Sequence, residues 1–178
     1  ISTVTWNLRG FYFYASNTGH WHAYWNHDSA PTINSLTSST STKIHTINGD
    51  VHVLKGMMRT QYPSADKHSQ GLVVSGDVKV YDGGTLETHQ DDYTSGTDCD
   101  HSFGTITVNS GGTYKATSKT TTITGPYIDD HFLYQNAGTF THNNGTVILS
   151  YTSYANLRSG GDAFYNLISD VATHFFVF

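Results

Sequence analysis

Apolar and polar residues alternate with period two in three stretches that align without gaps: Asp77-Val-Lys-Val-Tyr-Asp-Gly-Gly-Thr-Leu-Glu-Thr88, Thr105-Ile-Thr-Val-Asn-Ser-Gly-Gly-Thr-Tyr-Lys-Ala116 and His131-Phe-Leu-Tyr-Gln-Asn-Ala-Gly-Thr-Phe-Thr-His142. The alignment matches Val78, Val80 and Leu86 with Ile106, Val108 and Tyr114, and these with Phe132, Tyr134 and Phe140. Such alternation marks a strand with one buried face. Gly-Gly or Ala-Gly interrupts each stretch ahead of a Thr, and glycine permits the backbone angles that a corner demands. A fainter copy, Asp50-Val-His-Val-Leu-Lys-Gly56, comes before them. Further strands are expected at 120–124 and 145–150, the second following the turn signal Asn143-Asn144-Gly145.

The copies recur about every 27 residues, the spacing of a solenoid in which one supersecondary unit stacks on the next. Three short strands and three turns per repeat predict an all-β fold, a right-handed parallel β-helix of about four to five rungs. Equivalent apolar residues then fall in columns inside the coil. An antiparallel sandwich also has short alternating strands, but it predicts no corner repeated at a fixed period. Only 151–159 and 162–171 leave room for a helical turn or two.

Residues 1–45 break the pattern and hold all three Trp of the chain, together with Phe11, Tyr12, Phe13, Tyr14 and Tyr24. The expected division is an aromatic N-terminal cap or attachment segment at 1–45 and a solenoid domain at 46–178. A cap is needed because an open sheet edge pairs with other chains. Trp21, Tyr24 and Trp25 are also candidates to stack on sugar rings or on a partner surface. The C-terminal run Thr173-His-Phe-Phe-Val-Phe178 is apolar. Apolar tails are usually covered, so Phe175, Phe176 and Phe178 are candidates for a subunit interface, with a homotrimer expected.

Composition narrows the function classes. Charged residues are only 13% of the chain while aromatics are also 13%, which argues for a folded domain over a disordered one. With 9 Lys and Arg and a net charge of −5, there is no basic stripe for nucleic acid. The single Cys99 excludes a disulfide framework. No run of about 18 apolar residues is present to insert in a bilayer as a helix.

Candidate chemistry is sparse. His20, His22, His27 and Asp28 contain metal-ligand types without diagnostic spacing. Asp91, Asp92, Asp98, Asp100 and His101 gather in what reads as a loop between rungs, without the order of a calcium loop. Asp129-Asp130-His131 offers paired carboxylates for polysaccharide cleavage, but neighbours on a strand point to opposite faces. No metal, no cofactor and no catalytic residue is therefore assigned, and the chain is read as no enzyme.

The phrases Gly138-Thr-Phe-Thr-His-Asn-Asn-Gly-Thr-Val147 and Phe164-Tyr-Asn-Leu-Ile168, with Gly111-Gly-Thr-Tyr-Lys-Ala-Thr117 and Thr120-Thr-Thr-Ile-Thr-Gly125, resemble β-helical repeats in surface proteins of tailed-phage virions and in some large bacterial surface proteins. The resemblance spans about residues 76–170 and marks rung corners, not a catalytic group. It implies a multimeric capsid decoration protein, or next a tail fibre or spike. Such a protein would be exposed on the virion surface, contacting itself, the capsid shell and possible host glycans. The alternatives are a carbohydrate-binding adhesin module, at a bacterial cell surface, and a β-helix polysaccharide-degrading enzyme.

Overall fold

The computed structural model describes residues 11–15, 21–25, 32–34, 44–60, 71–89, 98–125 and 132–176, with the backbone alone for the first three stretches and for 45, 153–155 and 171–176. Among these described residues fifteen strands follow one another: β1 (Phe11–Ala15), β2 (Trp21–Trp25), β3 (Thr32–Asn34), β4 (Ile44–Ile47), β5 (Val51–Val53), β6 (Gly56–Arg59), β7 (Gly71–Val80), β8 (Gly84–Glu87), β9 (His101–Val108), β10 (Thr113–Lys115), β11 (Thr120–Ile123), β12 (Phe132–Asn136), β13 (Thr139–Thr141), β14 (Thr146–Arg158) and β15 (Asn166–Phe176). There is no helix among the described residues. The expected room for helical turns at 151–159 and 162–171 is thus corrected: both segments lie largely in β14 and β15, which pair in parallel along their length. Pairing to a neighbouring strand outweighs the weak local helix preference there.

The strands form a β-solenoid with three faces. The first face runs through β4, residues 71–74 of β7, 101–103 of β9, β11, and the leading parts of β14 and β15. The second continues from it through β2, β5, 77–80 of β7, 105–108 of β9, β12, and the trailing parts of β14 and β15. These two make up the ten-stranded sheet, while β3, β6, β8, β10 and β13 form the five-stranded third face. All these neighbours are parallel, and β1 with β2 is the antiparallel exception. About three turns, residues 71–141, hold most of the core. Partial turns extend the sheets on either side.

The repeat corners stack as the Gly-Thr pairs require. Thr85, Thr113 and Thr139 share one column, and Leu86, Tyr114 and Phe140 the inward column beside it. The two glycines of a corner have different duties. Gly83 and Gly111 take φ of +73° and +78°, which L side chains rarely adopt. Gly112 instead lies so close to the turn beneath that a Cβ would come within 2.8 Å of the Val80 carbonyl.

One expected correspondence is corrected. Tyr134, not Phe132, stacks on Ile106, and Asn136 stacks on Val108. The corner after β12 is a single residue, Ala137, where the preceding turn has Asn109-Ser110-Gly111, so a gapless alignment slips by two. Asn136 is accommodated inside because its amide is satisfied: Nδ2 donates to the Ser159 carbonyl at 3.0 Å and to Asp162 at 2.9 Å, while Oδ1 accepts from the Gly138 N–H at 3.1 Å.

A second glycine column, at Gly49, Gly76, Gly104 and Gly125, forms the bend between the first two faces. The Gly76 N–H donates to the Gly49 carbonyl at 3.0 Å, and the Gly125 N–H to the Gly104 carbonyl at 2.8 Å. A Cβ on Gly104 would stand 2.5 Å from the Gly76 carbonyl oxygen, so the backbones touch where the sheet folds.

Candidate functional site

Register separates the expected aromatic trio. Tyr24 pairs with His52, and Trp25 with Val53, which is fully buried. Since strand neighbours alternate faces, Trp21 and Trp25 share the alternation of the inward column and Tyr24 that of the outward ladder. That ladder continues through His52, Lys79, Thr107, Gln135 and Arg158 on the second face.

The outward ladder carries the most site-like patch among the described side chains. His52 Nδ1 lies 3.0 Å from the Tyr81 hydroxyl, and the two rings stack with centroids 5.8 Å apart. Lys79 pairs with Asp77 at 2.9 Å. Partial burial alone would lower the Lys79 pKa, but the Asp77 carboxylate prevails and holds it above the ordinary value. A half-buried ring pair flanked by an ammonium and a carboxylate suits a polyhydroxylated ligand, which offers C–H faces to aromatics and hydroxyls to charges. Sequence reasoning passed over His52 and Tyr81. Their offset of about one repeat was the available signal, because it puts them on adjacent turns.

The expected acidic group is dispersed into structural contacts. The Asp98 carboxylate accepts from the Ser118 N–H at 2.6 Å and lies 2.6 Å from His89 Nδ1. Burial pushes its pKa up, but these hydrogen bonds outweigh burial and leave it below the ordinary value. Asp100 accepts from the Thr120 N–H at 3.0 Å. Both carboxylates thereby tie the start of one turn to the next. His101, expected in the loop, is corrected to the first residue of β9, where it is buried. Its Nδ1 accepts from the Leu72 N–H at 3.2 Å, which fixes a neutral ring. Burial drives its pKa down to about 4, against the opposing pull of Asp98 and Asp100. Among the described residues, no three His, Cys, Asp or Glu group as metal ligands. Asp91, Asp92 and Asp129-Asp130-His131 lie outside the described residues, as do His20, His27, Asp28 and Phe178. Phe175 and Phe176 are placed in β15 by backbone.

On the third face Glu87 is buried between cations of the adjacent turns. Arg59 Nε meets one of its carboxylate oxygens and Lys115 Nζ lies 3.2 Å from the other. These three residues occupy one column of the sheet, so the ion pairs run along the stack.

No family model matches the chain, and no curated protein or solved structure was found to be similar to it.

Proposed function

We propose that the chain is a structural protein of a phage-type particle surface, a multimeric β-solenoid serving first as capsid decoration and next as part of a fibre or spike. One observation carries this reading: a series of buried and half-buried polar side chains bonds to neighbouring turns. Asp50 accepts from the Asp77 N–H at 2.8 Å, Asp77 from the Thr105 hydroxyl at 2.7 Å, and the Cys99 carbonyl from the Thr117 hydroxyl at 2.8 Å. The Asp98, Asp100, Asn136 and Glu87 contacts repeat the arrangement. Polar chemistry spent on stacking suits a rigid element with outward Thr and Ser, not a catalytic groove, which needs converging groups. In this reading the coil is right-handed, 1–45 with the β1–β2 hairpin is its aromatic cap, and Phe175, Phe176 and Phe178 belong to a homo-oligomer interface, for which a trimer is expected. The protein then sits at the surface of a particle against the capsid shell. Particle reconstruction with and without the chain tests it: density of solenoid width on the shell that vanishes on deletion supports decoration, and unchanged particles refute it.

The outward patch favours a second reading, a glycan-binding adhesin at a particle or bacterial cell surface. Glycan-array binding that Tyr81→Ala reduces at least about tenfold, the effect expected of one lost stacking ring, would support it. An array without binding would oppose it. Polysaccharide cleavage is the third reading and has no support from the described side chains.

A further inference from the structure

The chain contains two Asn-Gly pairs, Asn48-Gly49 and Asn144-Gly145. Asparagine is thermolabile, and a following glycine puts no side chain in the way of attack on its amide. The Gly145 nitrogen, on losing its proton to solvent base, can bond to Asn144 Cγ. The C–N bond of the side-chain amide then breaks and ammonia leaves, which gives a five-membered succinimide. Water opens that ring at either carbonyl, to aspartate or to isoaspartate, in which the main chain runs through the former side chain. One water is consumed and one ammonia is released.

The fold holds Asn144 off this route, although the residue is exposed. Asn143 and Asn144 take φ of +46° and +60°, and the Gly145 N–H donates to the His142 carbonyl at 2.8 Å. Two positive φ values under such a bond make a type I′ turn. The second central residue of that turn has ψ of about 0°, which eclipses the Gly145 nitrogen with the Asn144 nitrogen. Ring closure needs it eclipsed with Cβ instead. The attacking N–H is therefore both misdirected and hydrogen-bonded. The Asn144 N–H donates to His142 Nδ1 at 3.0 Å, which tightens the turn. Asn143 Nδ2 donates to the Ala116 carbonyl at 2.7 Å and the Thr146 N–H to the Lys119 carbonyl at 2.8 Å, which anchors it on the preceding turn. Gly145 is buried so close to that turn that a Cβ would overlap the Thr117 carbonyl oxygen.

We propose that Asn144 is a latent modification site, closed while this turn is stacked and converted to aspartate or isoaspartate once it opens. Isoaspartate adds an atom to the main chain beside Gly145, where there is no room for it. The reacted turn cannot close again, so the step runs one way. It needs only water and an open turn, and stands apart from both the particle and the glycan readings.

Peptide mass mapping follows the reaction in the full chain, held in mildly alkaline buffer with and without guanidinium. In guanidinium Asn144 and Asn48 should react at similar rates. In the native chain Asn144 should react at least about tenfold more slowly than in guanidinium, the effect of a modest opening free energy. Asn143→Ala removes the anchor on Ala116; it should speed the native reaction severalfold and leave the guanidinium rate unchanged. A native rate equal to the unfolded one, or an Asn143→Ala variant no faster than the parent, would overturn the gate. Chains with isoaspartate at 144 should unfold at lower urea than Asn144→Asp, which adds the charge without the extra atom. Equal midpoints would overturn the one-way step.

Discussion

The middle turns and the last strand share the same alternation and have opposite fates. In the middle, polar groups at inward register positions are wholly enclosed: His101, Thr121 and Asn136 are each no more than 2% exposed. At the end, Leu167 occupies the same column as His101 and Thr121 and is 36% exposed. Burial in a solenoid is set by the presence of layers above and below, since each repeat contacts chiefly its neighbours. The third face shows the same rule with a different ending. Among the described residues β13 is the last strand of that face; the Asp162 carboxylate accepts the Phe140 N–H at 2.7 Å, and Phe164 packs on Tyr134 and Phe140 with centroids 5.0 and 5.3 Å apart. Among the described residues, the β13 edge is covered by the chain itself, and β15 pairs with β14 alone.

The contrast can be broken most severely in the middle. Gly104→Ala puts a methyl group against the Gly76 backbone, where neither turn can yield, and should cost more than about 3 kcal/mol in urea unfolding. Glu87→Ala leaves Arg59 and Lys115 facing each other on the third face and should cost about 3 kcal/mol by the same measurement.

Acid acts on the same turns. His101 has a folded pKa of about 4, below the 6.5 of the exposed ring, so the unfolded chain binds more protons between these values. Its contribution is complete above pH 6.5 and is lost as pH falls toward 4, by up to about 3 kcal/mol. Asp98, held below its ordinary 3.8, loses its contribution only in the more acidic range. Unfolding of His101→Gln at pH 7 and pH 4.5 should show a smaller difference than the parent.

At the sealed edge, Asp162→Ala strips an acceptor from both Asn136 and Phe140 and should cost about 2 kcal/mol. On β15, Leu167→Lys at a 36% exposed position should change the unfolding free energy by less than about 0.5 kcal/mol. A large loss there would mean that Leu167 is packed, and the two regions would no longer differ.

The repeat made the stacking of Val51 with Val78, Val78 with Ile106, and Leu86 with Tyr114 legible without coordinates. It misled where spacing varies, because Ala137 closes its corner with fewer residues than Asn109-Ser110-Gly111 and the alternation on both sides is equally regular. Period two gives a face but not an origin. The polar ladders were hidden for another reason. His52 with Tyr81, Asp98 with Ser118, and Arg59 with Glu87 and Lys115 are distant in sequence and meet only once turn lengths are known. The bend glycines Gly49, Gly76, Gly104 and Gly125 were visible as residues, but their common column was not.

The central claim is that parallel turns stack with these side chains in register. Nuclear Overhauser contacts of the Tyr114 ring test it most directly in solution. The account predicts contacts from Tyr114 to Leu86 on one side and Phe140 on the other, with no Hα–Hα contacts between β8, β10 and β13. Strong Hα–Hα contacts between those strands would show antiparallel ribbons and contradict it, as would a Tyr114 ring distant from Leu86 and Phe140.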